Sequence, residues 1–323
     1  FESEKPRRHL LCFDDLLRTP GDGPTIGIIL CKGKNAMVVE YALRGAAKPM
    51  GVAEYCLSPA LPAQLQADLP TAEEFAREFL LMSLVELRGE VERELRAALD
   101  RGDFVLHYQP QFDLRTGHVD SVEALVRWHH PEHGLVLPGE FIPVAEASGL
   151  IRPLGAWVLG AACRQARAWQ DEGLDLVMGV NLSPLQLRHD GLLHEIDGAL
   201  RASGLDPRWL ELEITENLFL ERSEGTTDRA LRGIAARGIG LALDDFGTGY
   251  SSLASLRRLP VARIKIDRSF VRDIGCDPED EAVVRAMVSL GHALGKRVVA
   301  EGVENEVQLA FLRRLRCDTA QGF

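Results

Sequence analysis

The segment "LALDDFGTGYSSL", Leu241 to Leu253, sets two adjacent aspartates, Asp244 and Asp245, at the end of an apolar run and follows them with a glycine-flanked loop. Other short apolar runs carry Glu123, Asn181, Glu213, Lys265 and Glu301 at their polar ends. Gathered around one point, the five carboxylates would repel strongly: a like-charge pair about 4 Å apart costs on the order of 4 kcal/mol at an effective dielectric near 20. Left uncompensated, they would raise one another's pKa or push the chain apart. Divalent cations remove the conflict. The donor set is nearly all oxygen, carboxylates plus the Asn181 amide, and that chemistry favours Mg²⁺ or Mn²⁺ over zinc. Two such cations bridged by one carboxylate can activate a water and stabilise the leaving oxygen in phosphoryl chemistry. Asp244, on the strand end itself, is the candidate bridge. Lys265 would place an ammonium on the same rim, where it orients the water, stabilises a phosphate oxygen or serves as a structural ion pair. Adjacent strand residues point to opposite faces, so Asp244 and Asp245 can share a site only if the chain bends. Gly247 and Gly249 are expected to supply that freedom.

Something must bring these residues together. From about Phe104 onward, short β-like runs alternate with helical patterns: "FVLHYQP", "SVEALVRW", "LVMGVNLS", "LELEIT", "IGLALDDF", "ARIKID", "RVVAEGVE" and, more weakly, "DTAQGF". Between them, segments such as "GAWVLGAACRQARAWQDEG" and "EDEAVVRAMVSLGHALGKR" repeat apolar residues every three to four positions. Eight such alternations predict a (β/α)8 barrel, because each parallel strand needs a crossover to return the chain, and reacting groups then sit at the C-terminal strand ends.

The chain before about residue 100 reads differently. "TIGIILCKGKNAMVVEYALRG" predicts two strands joined by a turn containing Gly33, with "VAEYCL" as a third, and the Glu- and Arg-rich stretch from Thr71 to about Asp100 predicts a helical connector. Three parts follow: a small α/β fragment over 1–70, a connector over 71–100 and a barrel over 101–323.

With 323 residues, 46% of them hydrophobic, the chain can bury a large core. A formal net charge of −11 argues against coating nucleic acid or binding an anionic membrane through a polybasic surface. The six cysteines are scattered without a CxxC pair, as expected for reduced thiols in the cytoplasm, and no apolar run in the sequence is long enough to span a bilayer. Lookalike motifs lack their partners. "DFG" at Asp245 to Gly247 has no accompanying HRD loop, and "GTG" lacks the third glycine of a dinucleotide fingerprint. "HHPEHG", with His129, His130 and His133, lacks the HExxH spacing and predicts a loop after the second barrel strand.

From about Leu95 to Phe323 the chain resembles the EAL family of cyclic di-GMP phosphodiesterases. The resemblance rests on the ordered series "LHYQPQFDLRTG", "EALVRW", "FIPVAEASGLI", "NLSP", "ELEITEN", "DDFGTGYSSL", "IKIDRSFV", "AEGVE" and "CDTAQGF". It implies a (β/α)8 TIM-type barrel with one antiparallel strand, and hydrolysis of cyclic di-GMP to linear pGpG with two Mg²⁺ or Mn²⁺ ions per site. It further implies that Glu123, Asn181, Glu213 and Asp244 hold one metal, that Asp244, Asp245 and Glu301 hold the other, and that Lys265 holds the hydrolytic water. Glu216 would anchor the loop after Asp245, near a homodimer contact. Gln109, Arg127 and Gln321 would touch the dinucleotide, with Glu304 behind them. Some members that have lost ligands act only as nucleotide receptors. Every principal acidic position is filled here, so turnover is the expectation and a catalytically silent receptor the alternative. The family pattern continues beyond "QGF" with a further strand end and helix, so the barrel reads as C-terminally truncated. The N-terminal segment, "DDLLRTPGDGPTIGIILCKGKNAMVVEYAL" with "KPMGVAEY", resembles the C-terminal part of a PD-(D/E)XK nuclease-like family. No acidic E-x-K arrangement precedes Asp14, so no nuclease site and no nucleic-acid partner are expected.

Overall fold

The computed structural model describes residues 9–10, 26–32, 37–43, 52–54, 89–216, 225–249 and 253–322. Two compact units divide the chain, Phe1–Val85 and Glu86–Phe323. In the first, β1 (His9–Leu10), β2 (Ile26–Lys32), β3 (Met37–Leu43) and β4 (Val52–Glu54) form an antiparallel sheet in that order. The strands expected from "TIGIIL", "MVVEYAL" and "VAEYCL" are β2, β3 and β4; the turn at Gly33 lies outside the described residues. So do residues 71–88 of the expected connector, while residues 89–101 are helical and belong to the second unit.

The second unit is an eight-stranded closed barrel with one added strand. Its strands are β5 (Phe104–Asp113), β6 (Val119–His130), β7 (Gly134–Val136), β8 (Val177–Asn181), β9 (Leu210–Thr215), β10 (Gly240–Phe246), β11 (Arg263–Ile266), β12 (Arg297–Val303) and β13 (Thr319–Gly322). Pairing runs β5-β13-β12-β11-β10-β9-β8-β6-β7, and a further β5–β6 pairing closes the ring. β5 is antiparallel to both of its neighbours, whereas β6, β8, β9, β10, β11, β12 and β13 run parallel. The segment ending at "QGF" supplies β13, which pairs with β5 at Thr319↔Asp113, Ala320↔Phe112 and Gln321↔Gln111.

Period-two patterning explains how this ring is held. Val122, Ala124, Met178, Val180, Leu212, Ile214, Leu241, Leu243 and Ile264 are buried in one core with the apolar faces of the surrounding helices. In the helix Ile151–Asp171 the buried positions Leu154, Val158, Leu159, Ala162, Cys163 and Ala166 form the inward stripe. The helix Pro278–Ala293 starts where Asp277 caps Glu279 N and a proline takes the first turn, and it lays Val284, Val288 and Gly291 inward. Each large aliphatic group buried in this way contributes about 1.5–3 kcal/mol.

One expectation needs correction. His129 and His130 are not in a loop: they end β6 and pair with Leu135 and Gly134 of β7. Hairpin geometry decides this, because β7 supplies ladder partners for Trp128, His129 and His130 and the chain turns only at residues 131–133.

Candidate active site

Strand faces left over by the helix-facing core point along the barrel axis, and here they are polar. Ser121 and Glu123 alternate with Val122 and Ala124 on β6, Glu211 and Glu213 with Leu210 and Leu212 on β9, and Arg263 and Lys265 with Ile264 and Ile266 on β11; all are buried. Glu213, Lys265 and Asn181 lie near the C-terminal ends of β9, β11 and β8. Glu123 sits in mid-strand, because β6 continues beyond the barrel to pair with β7.

Lys265 is the hub. Its Nζ, 1% exposed as a residue, donates to Glu213 Oε2 and to Glu123 Oε2 at 3.2 Å, and it lies 3.1 Å from Asp244 Oδ1 and 2.7 Å from Glu301 Oε1. Four carboxylates from β6, β9, β10 and β12 thus meet one ammonium from β11. Asp244, Asp245 and Glu301 each bring a carboxylate oxygen within 4.8 Å of the others'. Five carboxylates against one ammonium leave a formal excess of four negative charges, the charge of two dications.

The bend that lets adjacent aspartates share this mouth lies at Asp245 itself. Its φ of 54° is left-handed, and the pairing of β10 with β11 shifts register between Leu243 and Phe246. Aspartate tolerates this region better than most residues, and bulges of this kind re-aim side chains beside active sites. Of the two glycines expected to provide the bend, Gly247 has φ 104°. At 247 a Cβ would come within 2.3 Å of Met287 Cε and 2.8 Å of Phe270 Cε2, so this position needs glycine on both counts. Glu216 Oε2 accepts from Gly247 N at 2.8 Å and Gly249 N at 3.2 Å and so ties the loop to the end of β9.

Glycine also makes room for Glu213. A Cβ at Gly179 would lie 2.4 Å from Glu213 Oε1. That oxygen is buried with no hydrogen-bond partner, a state that costs about 1–3 kcal/mol or more for a charged group. An all-oxygen donor set, an orphaned buried carboxylate oxygen and an unneutralised negative charge together fit divalent cations.

The remaining expected residues divide into two groups. Glu123 Oε1 accepts from Asn181 Nδ2 at 2.7 Å, and Glu123 Oε2 from Gln321 Nε2 at 2.7 Å; Gln321 Nε2 also donates to Gln109 Oε1 at 3.0 Å. Asn181, Gln109 and Gln321 therefore join the cluster directly. Arg127 is half-buried four residues beyond Glu123 on β6, and its guanidinium donates to Val126 O. Glu304 is exposed just after β12, and its backbone N–H donates to Gln308 Oε1. Neither side chain is brought to the cluster. Sequence reasoning missed Gln111, Ser121, Glu211 and Arg263, which form a second buried polar layer beneath it. A signal existed: each lies two residues from a site residue on the same strand, hence on the same face.

Burial and neighbours push these groups apart in pKa. Burial raises Glu213 well above the carboxylate range, with Lys265 opposing and Glu123 and Asp244 reinforcing. Glu301 is pushed up to about 7 by burial, eased by Lys265 and reinforced by Asp244. Asp245 is also raised, by burial and then by Asp244. At Glu123 burial is outweighed by Lys265 and by the bonds from Gln321 and Asn181, which hold it below the usual range. For Lys265 the surrounding carboxylates outweigh burial and raise it well above a free lysine.

An acid whose pKa is higher folded than unfolded binds its proton more tightly in the folded state, so its contribution is intact below the unfolded value and is lost as pH rises. The window set by Glu301 runs from 4.5 to about 7. Free of dications, the protein is therefore expected to lose stability as pH rises through that window, read as urea midpoints, and Glu301→Gln should flatten the slope. An unchanged slope in Glu301→Gln would contradict the assignment.

Residues 92–323 match the EAL domain family model. The chain belongs to the EAL domain family. Residues 7–70 match the model of the YhcG PDDEXK nuclease domain. The EAL region is 48% identical over 231 residues to the bifunctional diguanylate cyclase/cyclic di-GMP phosphodiesterase MucR of Pseudomonas aeruginosa, covering 71% of this chain and 34% of the relative. The chain is 43% identical over 253 residues to the cyclic di-GMP phosphodiesterase NbdA of the same species, covering 78% of this chain and 32% of the relative. The chain thus spans about a third of the length of these curated relatives. Among solved structures, the PaMucR phosphodiesterase in complex with c-di-GMP superposes with a TM-score of 0.69 at 48% identity, over 72% of this chain and 95% of that one. EAL domains depend on divalent metals, in keeping with the acidic cluster of this chain. Among the described residues, no helix is long and apolar enough to cross a membrane.

Proposed function

We propose that the EAL unit hydrolyses cyclic di-GMP to linear pGpG in the cytoplasm and so lowers the level of this messenger. The observation that carries the reading is the Lys265 hub: four carboxylates from four strands around one ammonium, with Asp245 beside them and four negative charges in excess. The substrate comes from the relatives, MucR and NbdA being cyclic di-GMP phosphodiesterases and the PaMucR domain having been solved as a c-di-GMP complex.

In this reading Glu123, Asn181, Glu213 and Asp244 hold one Mg²⁺ or Mn²⁺, and Asp244, Asp245 and Glu301 hold a second. Bound there, the dications supply an activated water and charge stabilisation for the departing oxygen. Water oxygen adds to phosphorus on one side of the cyclic dinucleotide, the P–O3′ bond breaks, and the 3′ oxygen leaves as a hydroxyl. Lys265 holds the attacking water or a phosphate oxygen, and its raised pKa keeps it a cation throughout the neutral range. Glu216 fixes the loop after β10. Gln109, Gln321 and Arg127 face the dinucleotide, with Glu304 behind them. The reading includes a homodimer formed through the barrel and the three-part division at residues 70 and 100.

Purified protein incubated with cyclic di-GMP is expected to give pGpG with Mg²⁺ or Mn²⁺ and none in excess chelator, as resolved by chromatography. Full hydrolysis in chelator would sink the two-metal reading. Tight binding without pGpG would make the domain a receptor instead.

A further inference from the structure

Interiors of (β/α)8 barrels are usually filled with branched apolar side chains. Here a continuous hydrogen-bonded column of buried polar groups descends from the cluster to the N-terminal end of β11. Arg263 Nη1 donates to Gln111 Oε1 at 3.3 Å and to Ser121 Oγ at 3.0 Å, and lies 3.4 Å from Glu211 Oε1. Gln111 Nε2 donates to Gln321 Oε1 at 2.8 Å, and Gln321 Nε2 donates to Gln109 and Glu123. Arg263, Gln111 and Gln321 are 6%, 2% and 5% exposed, so these bonds are made away from bulk solvent.

The column has a direction. A guanidinium only donates, so it must meet the oxygen of Gln111, which turns that amide's NH₂ towards Gln321. Gln321 then meets it with oxygen and presents its own NH₂ upward. The upper end agrees independently: Gln109 Nε2 faces the Gly322 carbonyl at 3.4 Å, leaving its oxygen for Gln321, and Glu123 is an acceptor-only carboxylate. Reversing Gln321 would set its Oε1 against Glu123 Oε2, and reversing Gln111 would set its Oε1 against Gln321 Oε1, oxygen on oxygen in both cases.

We propose that Gln111 is a positioning residue: driven by Arg263, it orients Gln321 so that an N–H, rather than a carbonyl, holds the Glu123 carboxylate ready to grip a cation. The proposal rests on the metal-dependent reading above. Groups that orient a metal-binding side chain typically change metal affinity by about 10- to 100-fold when lost.

The test uses the full chain and Mn²⁺ alone, with free Mn²⁺ followed by electron paramagnetic resonance and a melting curve for each protein. Gln111→Glu exchanges one NH₂ for oxygen at unchanged size. Its carboxylate accepts from both Arg263 and Gln321, which turns Gln321 over, and Mn²⁺ affinity is expected to fall about tenfold. The added negative charge alone would strengthen cation binding, so charge cannot mimic this loss. Gln111→Met removes the donor to Gln321 Oε1 without reversing that amide, so its affinity is expected to fall, but by less than the roughly tenfold of Gln111→Glu. Greater loss in Met than in Glu, which filling space alone predicts, or parental affinity in either variant, would overturn the proposal. A measurement on the parent needs no variant: the Gln321 side-chain NH₂, bonded at both hydrogens, is expected to exchange slowly with solvent in ¹⁵N spectra. Exchange as fast as an exposed amide's would overturn the proposal. Parent protein that binds no Mn²⁺ would sink the metal reading and this proposal together, whereas tight parental binding matched by Gln111→Glu sinks only the column's role.

Discussion

Asp244→Asn is expected to cut pGpG formation on the order of 10³-fold or more at saturating Mn²⁺, because it would remove the carboxylate proposed to serve both cations. The substitution keeps size and shape. Asp244 Oδ1 accepts the Asp245 N–H at 3.0 Å, and an asparagine oxygen can do the same, so the left-handed turn at Asp245 should persist. What is lost is charge. The ammonium of Lys265 lies 3.1 Å from that oxygen, and the cluster's excess would drop from four negative charges to three, too few for two dications. The melting temperature without metal should hold or rise, since a carboxylate repelling Glu213 and Glu301 has become neutral. Turnover within about tenfold of the parent under these conditions would remove Asp244 from the proposed bridge.

Lys265→Met should separate folding from catalysis. In the dication-free protein it strips the ammonium from four carboxylates at once. Breaking a buried pair from one side costs about 3–5 kcal/mol because the charge left behind has no partner. Here several are left behind, and the loss should be greater at high pH, above the value of about 7 to which Glu301 is raised. Mn²⁺ can replace the missing positive charge, so melting temperature should recover on adding it. Hydrolysis should not, and a deficit on the order of 10³-fold is expected, the range seen when one donor aimed at developing charge is removed. Recovery of both stability and turnover with Mn²⁺ would reduce Lys265 to a structural counter-ion.

Much of this protein was legible in its residues before any fold was known. Short β-like runs mark the barrel strands, "DTAQGF" more weakly than the rest, and a period of three to four marks the long helices, since a helix packed on one stripe leaves that period in the chain. The oxygen-rich donor set and the ordered EAL motifs pointed to the site for the same local reason: side-chain chemistry does not depend on the fold. Other features depended on closure of the barrel. Pairing stagger decides which residues on different strands share a height, and it sets Glu123 level with Gly179 and Gln109 but Asn181 level with Glu213. No single strand carries that information. The same closure stacked Gln111, Ser121, Glu211 and Arg263 into a polar layer, because residues two apart on a strand share a face but acquire partners only from the strands opposite. Backbone geometry decided the rest. Asp245 shares the left-handed turn at the mouth with Gly247, and His129 and His130 continue β6 because β7 offers them a partner. Local pattern fixes what each residue can do; only long-range pairing, whose register no short segment encodes, determines which of them meet.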